Sequence, residues 1–351
     1  AGLTTSLTEP WTGPSRSDDG RKMKMLEKKL RDLYKNRGYD DAAADLAVAS
    51  VKEMDSYLRK NGASAETASP DQIEKYIAVL FESDKISLPL LLALARYCYL
   101  ANNHGAYIYF TRILGGVGVI DSIKKRMLAY AGEEAVEKVF SGLGEIPLGT
   151  TPGDMPAFTA IFMDRLKANI EPALYKRILA GNNHGLSESA MQEEKRLYEE
   201  SPTLDEYLVD RHKRNVAQLQ EHCDTGKIWY EQEITQEVVD YVASNQEILS
   251  AVRNGQKLYM TKISYDGISF LKSTDPVLKS YYACHCPFAR ERILDESREN
   301  IDSDWCYCSA GFEKFPFEVI LGVELEVELL QSALRGDPVC RFALTLPPGI
   351  K

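Results

Sequence analysis

The chain has 351 residues, 44% hydrophobic and 27% charged, a composition that excludes a wholly disordered protein. Its 52 acidic residues outnumber its 42 basic ones, and the formal net charge of −10 argues against a general nucleic-acid-binding surface. Residues 86–101 form the longest apolar segment, but Arg96 interrupts it and it is too short to span a bilayer. With no export signal visible at the N-terminus, we expect a soluble cytoplasmic protein without a membrane segment.

The first part of the chain is predicted to be helical. Residues 1–18 are rich in Ser, Thr, Pro and Gly and predict a flexible arm, and residues 19–145 predict a helical domain. Asp40 is expected to cap a helix that ends at Asn61-Gly62, and Ser69-Pro70 to begin the next. Residues 87–103 are apolar nearly all round, which predicts a buried helix.

Residues 143–156 are dense in Gly and Pro and predict a linker or domain boundary, and the second domain is assigned to residues 146–351. This domain is predicted to open with a helical preamble, followed by an α+β core over residues 257–348. Strands are expected at residues 257–265, 277–284, 323–330 and 340–346. Helices are expected at residues 287–297 and 303–321, with Pro316 kinking or breaking the second. The predicted fold class is therefore α+β, a mostly helical N-terminal region followed by an antiparallel sheet with helices.

A short motif occurs twice, as Asn102-Asn103-His104-Gly105 and as Asn182-Asn183-His184-Gly185. Asn and Gly accept the left-handed conformation that ends a helix, so both copies are interpreted first as helix stops. The alternatives are an ancestral duplication or two imidazoles at a shared site, which keeps His104 and His184 as secondary site candidates.

Five of the seven cysteines lie in the last fifth of the chain: Cys284, Cys286, Cys306, Cys308 and Cys340. On a strand, Cys284 and Cys286 would face the same side. Pro287 suits the first position of a helix, so Cys286 is predicted to be its N-cap with a lowered thiol pKa. Cys306 and Cys308 would lie about 200° apart around a helix, so only one of them can face the strand pair.

Three interpretations of this cluster remain open from spacing alone. The cysteines can be reduced core residues without a metal, as is common for a free thiol such as Cys340 on the inner face of a strand. They can supply three or four ligands to zinc. They can also include a reactive thiol, for which Cys286 is the candidate.

The C-terminal part resembles a known superfamily over residues 257–348. The runs Trp305-Cys306-Tyr307 and Gly336-Asp337-Pro338-Val339-Cys340-Arg341-Phe342 resemble the 4-vinyl reductase domain. Cys286-Pro287-Phe288-Ala289 resembles the related L-2-amino-thiazoline-4-carboxylic acid hydrolase family. The doubled cysteine pairs are most similar to a bacterial branch of this superfamily. The resemblance implies a small-molecule-binding domain with a vinyl reductase-like antiparallel sheet.

The resemblance also implies a zinc ion near the ligand pocket, because several vinyl reductase-like sensors carry one. Its ligands there are a helix Cys, a Glu and a Cys on the hairpin, and the Cys after the turn. Cys306 and Cys340 match two of these positions, whereas the hairpin Cys position falls at Ser332 and the Glu position at Leu329. Cys284, Cys286 or Cys308 would have to substitute.

Two functions follow as expectations. The first is a hydrolase of small cyclic amide or thiazoline-like metabolites, with Cys286 as nucleophile or ligand and His285 or a loop histidine as general base. The second is a non-catalytic ligand-binding or sensor module, zinc-stabilised in one version, whose pocket would be lined by Trp305, Tyr307 and Phe312. In either case the expected partner is a small molecule rather than nucleic acid or a membrane, and a homo-oligomer is left open.

Overall fold

A computed structural model describes residues 16–295 and 300–350 of the chain. Helices dominate it, and a four-stranded antiparallel sheet lies in its C-terminal part, which confirms the α+β class and the helical N-terminal region. Most of the predicted arm, residues 1–15, lies outside the described residues, and the first helix begins at Arg16. None of the described helices is both long and apolar enough to cross a membrane.

The chain forms two compact units, one ending at Phe110 and the other beginning at Thr111. The first contains α1 (Arg16–Asn36), α2 (Asp41–Lys60), α3 (Pro70–Glu82) and α4 (Leu88–Leu100), and α5 (His104–Leu114) crosses the division.

Local capping explains where these helices begin. Asp40 accepts a hydrogen bond from the backbone N–H of Ala43 (2.8 Å), and Ser69 forms a reciprocal capping box with Gln72. Ser87 caps α4, which buries Leu91, Leu94, Tyr97 and Cys98, as its apolar sequence predicts.

The second unit contains eleven further α-helices among its described residues: α6 (Val119–Ala131), α7 (Glu133–Phe140), α8 (Met155–Asn169), α9 (Pro172–Leu179), α10 (Gln192–Glu200), α11 (Leu204–Thr225), α12 (Gln236–Ala243), α13 (Gly267–Lys272), α14 (Pro276–Ala283), α15 (Arg290–Leu294) and α16 (Tyr307–Leu321). The sequence predicted a division at residue 145, but α6 and α7 pack into the same core as α8. That core includes Met127 of α6, Val139 of α7 and Phe162 of α8.

The sheet is formed by β1 (Val252–Asn254), β2 (Lys257–Thr261), β3 (Glu326–Gln331) and β4 (Arg341–Thr345), in the order β1-β2-β4-β3. β4 is a central strand, and its buried Phe342 lies opposite Met260 of β2 and Leu329 of β3. Three of the predicted strands correspond to β2, β3 and β4, whereas β1 was not predicted.

The strand predicted at residues 277–284 is wrong, because this segment is α14. Asp275 accepts hydrogen bonds from the backbone N–H groups of Val277 and Leu278, and Pro276 occupies the first helical position. The β-branched and aromatic residues of the segment suggested a strand, but its cap decides in favour of a helix. The break expected at Pro316 does not occur either, since α16 continues through it to Leu321.

Candidate functional site

The structure places Cys284 and Cys286 in the turn between α14 and α15 rather than on a strand. Cys284 is the C-cap of α14, and the N-cap of α15 is Ala289, not Cys286. The backbone N–H groups of Ala289 and Arg290 donate hydrogen bonds to the carbonyl oxygen of Cys286. The hydroxyl of Thr159 on α8 donates to the carbonyl of Phe288 (3.0 Å), which fixes this turn against α8.

All five clustered cysteines are free thiols, and Cys286 is the least buried of them. Cys286 packs against one apolar cluster that contains Cys308 and against another that contains Cys284 and Cys340. Burial, with the neighbouring Cys340 and Cys284 adding to it, raises the pKa of the Cys306 thiol well above its ordinary value. The structure therefore brings the five cysteines into one region, where they are protonated near neutral pH.

No three His, Cys, Asp or Glu side chains within residues 16–295 and 300–350 converge closely enough to hold a metal ion. The position that the vinyl reductase resemblance assigns to a hairpin ligand lies close to Cys306. The hydroxyl of Ser332 donates to the sulfur of Cys306 (3.1 Å), so this hairpin position does reach the helix cysteine. A hydroxyl stands where the resemblance implies a thiolate ligand, which does not favour a zinc site.

The sulfur of Cys286 lies among hydrogen-bond donors. The indole Nε1 of Trp305 donates to it from 3.1 Å, and the backbone N–H groups of Phe288 and Ala289 also face it. Burial outweighs these donors and raises the pKa of the Cys286 thiol. The predicted lowering of this pKa is therefore wrong, because the gain from the donors is smaller than the cost of removing a thiolate from water.

His285 is held at both ring nitrogens. Nδ1 lies 2.7 Å from a carboxylate oxygen of Glu231, and Nε2 lies 2.7 Å from the carbonyl oxygen of Ile263. Although burial opposes it, the hydrogen bond from His285 holds the pKa of the Glu231 carboxyl below its ordinary value. Both ring nitrogens of His285 lie against oxygen atoms, an arrangement that leaves no free nitrogen for the general base that the sequence predicted.

His184 is the histidine that reaches the cysteine cluster. Its Nε2 lies 3.5 Å from the sulfur of Cys308, and its ring packs edge-on against Phe312. Burial, together with the positive charge of Lys262, lowers the pKa of His184 to about 4, so it is neutral at pH 7.

The two copies of the Asn-Asn-His-Gly motif follow helices, as expected of helix stops. Asn102 and Gly185 adopt the left-handed conformation, with φ of 57° and 63°. The side chain of Asn183 donates to the carbonyls of Ile178 and Leu179, so it closes the end of α9. His104 is the first residue of α5, in the first unit.

Lys262 is a site residue that sequence reasoning missed. Its ammonium group lies 3.2 Å from the hydroxyl of Ser309, 3.5 Å from the carboxylate of Glu313 and 4.6 Å from the ring centre of Phe312. Its charge also acts on His184, Cys286 and Cys308, so it lies among the polar groups of the cluster. A single Lys after a strand carries no recognisable motif, and only the fold reveals it.

The predicted ligand-binding aromatic residues have different roles. Trp305 is fully buried and packs edge-on against Phe162 and Phe288, so it is a core residue and cannot line a pocket. Tyr307 lies under the ammonium group of Lys176, and Phe312 lies beside Lys262. Both are partly exposed and remain candidates.

A cleft of about 500 Å³ opens beside this region. It is lined by the start of α6, residues 144–149 and Phe288. Residues 143–156, predicted to be a linker, therefore supply one wall. A Cβ atom at Gly116 would lie 2.9 Å from the Phe288 ring, so glycine is needed there for close packing. Phe288 separates the cleft from Trp305, whose indole holds Cys286.

A family model described as a family of unknown function, DUF6144, matches residues 161–349, more than half of the chain. Neither the curated proteins nor the solved structures contain a match to the chain. The resemblance to the vinyl reductase superfamily therefore remains a prediction. The matched residues contain the cysteine cluster, His184 and Lys262. Of the residues that line the cleft, Phe288 lies within the matched range and the others lie before it.

Proposed function

The chain belongs to DUF6144, a family of unknown function, and we propose from the geometry of its own residues that it binds a small molecule with both apolar and polar groups in the cleft against Phe288. The cleft itself is the observation that carries this proposal. Its volume of about 500 Å³ lies within the range of small-molecule sites, which are mostly apolar with a few polar groups.

The lining residues indicate what kind of molecule fits. The apolar ones include Val117, Ile120, Phe140, Ile146, Pro147, Leu148, Phe158 and Phe288. The charged ones are Asp121, Lys124 and Glu145, with one more negative charge than positive. A ligand with an apolar body and a neutral or cationic polar group therefore suits the cleft better than a polyanion.

The state of the cysteines favours binding over catalysis. Burial raises the pKa of Cys286 and Cys308, so neither is a thiolate near neutral pH. The neutral His184 lies against Cys308, and His285 is occupied by Glu231 and Ile263. A nucleophilic thiol needs a nearby base that can accept its proton, and this arrangement offers none at Cys286.

Replacing Val117 by Trp should block the cleft. Val117 lines it and is 42% exposed, so an indole there can occupy ligand space without disturbing the core. Fluorescence titration with the neutral dye Nile red should give one saturable site in the wild type. The Val117→Trp variant should bind the dye at least about tenfold more weakly.

Val323→Trp is the matched control, since Val323 is also an exposed valine beside a left-handed glycine. It should leave dye affinity unchanged. Equal affinity of the wild type and Val117→Trp would place the dye elsewhere and remove the support for the cleft.

A hydrolase centred on Cys286 is the second candidate, and the donors around its sulfur favour it. Trp305 and the backbone N–H groups of Phe288 and Ala289 would stabilise a thiolate if the turn opened to solvent. The substrate class would be the small cyclic amides and thiazolines that the resemblance implies.

For this candidate, Cys286→Ser should reduce hydrolysis of 2-aminothiazoline-4-carboxylate by more than about a hundredfold, because the nucleophile is lost. Cys223→Ser, which changes a thiol outside the cluster, should keep the wild-type rate. Absence of turnover by the wild-type protein, or an unchanged rate in Cys286→Ser, would eliminate the hydrolase candidate.

A further inference from the structure

Arg290 is a buried arginine, and two of its three guanidinium nitrogens lack an acceptor. The residue is 6% exposed, and its Cζ atom lies 4.1 Å from the ring centres of both Tyr265 and Tyr281. Its Nε and Nη1 atoms are buried and have no hydrogen-bond partner among the described residues. The two aromatic rings lie against its charge, and the carboxylate of Glu231 attracts it without forming an ion pair.

The nearby carboxylates have other hydrogen-bond partners. Glu231 accepts the hydrogen bond of His285 at 2.7 Å. Glu291 is paired with Arg112 at 2.5 Å and also accepts from the hydroxyl of Tyr281. Neither carboxylate forms an ion pair with Arg290 in the described part of the chain, although the charge of Glu231 acts on it, so Arg290 can still take an anionic partner.

An unpaired buried guanidinium is costly. Arginine does not escape the cost by losing its proton, because it stays charged at any pH at which proteins fold. Cation–π contacts stabilise a desolvated guanidinium, but they leave the N–H groups without acceptors. Such an arrangement is expected where a missing anion completes the site.

Further buried polar atoms without partners lie at Tyr265, whose ring contacts Arg290, and on two segments that hold His285. The hydroxyls of Tyr265 and Ser264 are buried without a partner, as are both side-chain polar atoms of Gln232. Ser264 and Gln232 directly follow Ile263 and Glu231, the two residues that hold His285. Buried groups of this kind are normally satisfied, so these three residues on two segments, together with Arg290, leave polar atoms that a ligand can satisfy.

We propose that Arg290 binds the carboxylate group of a small molecule. The rings of Tyr265 and Tyr281 lie over the guanidinium, so an acceptor must approach its N–H groups from the edge. A planar carboxylate presents two acceptor oxygens in one plane and pairs well with such an edge, whereas a tetrahedral phosphate also projects oxygens toward the rings. Arg290 does not line the cleft, so this site is independent of the proposed cleft ligand.

The test measures the thermal unfolding midpoint of the full chain while one salt is titrated. The salts are sodium benzoate, sodium acetate and inorganic phosphate, each compared with chloride at the same ionic strength. The unfolding midpoint of the wild type should rise to saturation with either carboxylate and should rise less with phosphate. Arg290→Lys should weaken carboxylate binding about tenfold or more, since it keeps the charge but loses the planar donor set. Arg335→Met, at an exposed arginine beside Asp337, should respond like the wild type.

Arg290→Met distinguishes a ligand site from a structural contact. Met can still contact both rings, and it removes the unpaired charge, so this variant should be at least as stable as the wild type in chloride and should not respond to carboxylates. Three results would overturn the proposal: the same carboxylate response in wild type and Arg290→Met, a larger response to phosphate than to either carboxylate, or no response of the wild type. A clear loss of stability of Arg290→Met in chloride would also overturn it, because Arg290 would then serve the fold without a ligand.

Discussion

Gly311→Ala should lower the free energy of unfolding by about 3 kcal/mol. Gly311 lies on α16, and a Cβ atom there would approach the carbonyl oxygen of Gly181 to 2.4 Å and the carbonyl carbon of Ala180 to 2.6 Å. Both atoms belong to the backbone at the end of α9, so no flexible side chain can move aside. Urea denaturation followed by circular dichroism measures the change.

The same substitution should displace the loop that carries His184. This loop follows Gly181, and His184 reaches Cys308 one turn before Gly311 on α16. Gly105→Ala is the control, because Gly105 is also helical but a Cβ atom there meets only Pro70 at an ordinary 3.5 Å. It should be neutral or slightly stabilising. A loss no greater in Gly311→Ala than in Gly105→Ala would contradict the close approach of α16 to the end of α9.

The folded protein should lose stability through His184 as the pH falls from 6.5 toward 4. Burial lowers the pKa of His184 from 6.5 to about 4, and the charge of Lys262 acts in the same direction while that of Glu231 opposes it. Between these two values the unfolded chain binds a proton at this position and the folded chain does not. Unfolding therefore takes up a proton, and the free energy of unfolding decreases by on the order of 2 kcal/mol across this range.

The His184→Gln variant isolates this contribution, since Gln keeps a neutral polar group but does not titrate. Free energies of unfolding measured by urea denaturation at several pH values should fall less steeply in the variant than in the wild type. His222→Gln, the same substitution at a histidine near the end of α11, is the matched control for the mutation itself. Parallel curves for wild type and His184→Gln would mean that His184 is solvated in the folded protein.

Local signals predicted much of the fold. Asp40 and Ser69 cap helices where the sequence placed them, because a cap depends on residues three positions apart. The prediction failed at α14, where residues typical of strands outweighed the Asp275-Pro276 start signal. β1 was missed because three residues carry too little pattern to mark a strand.

The candidate site was only partly predictable. The clustering of the five cysteines was visible in the sequence, but their burial, which sets the thiol pKa values, depends on tertiary packing. Lys262 and Arg290 carry no motif and are defined by partners far away in sequence. The cleft could not be predicted for a related reason. The Gly- and Pro-rich residues 143–156 suggested a linker, whereas in the structure they form one wall of the cleft.

A crystal structure of the full chain with Nile red bound would test the proposed binding function most directly. The account predicts the dye between α6 and residues 144–149, with its ring system against Phe288 and its polar end toward Asp121, Lys124 or Glu145. Dye bound at another surface, with this cleft filled only by solvent, would contradict the account.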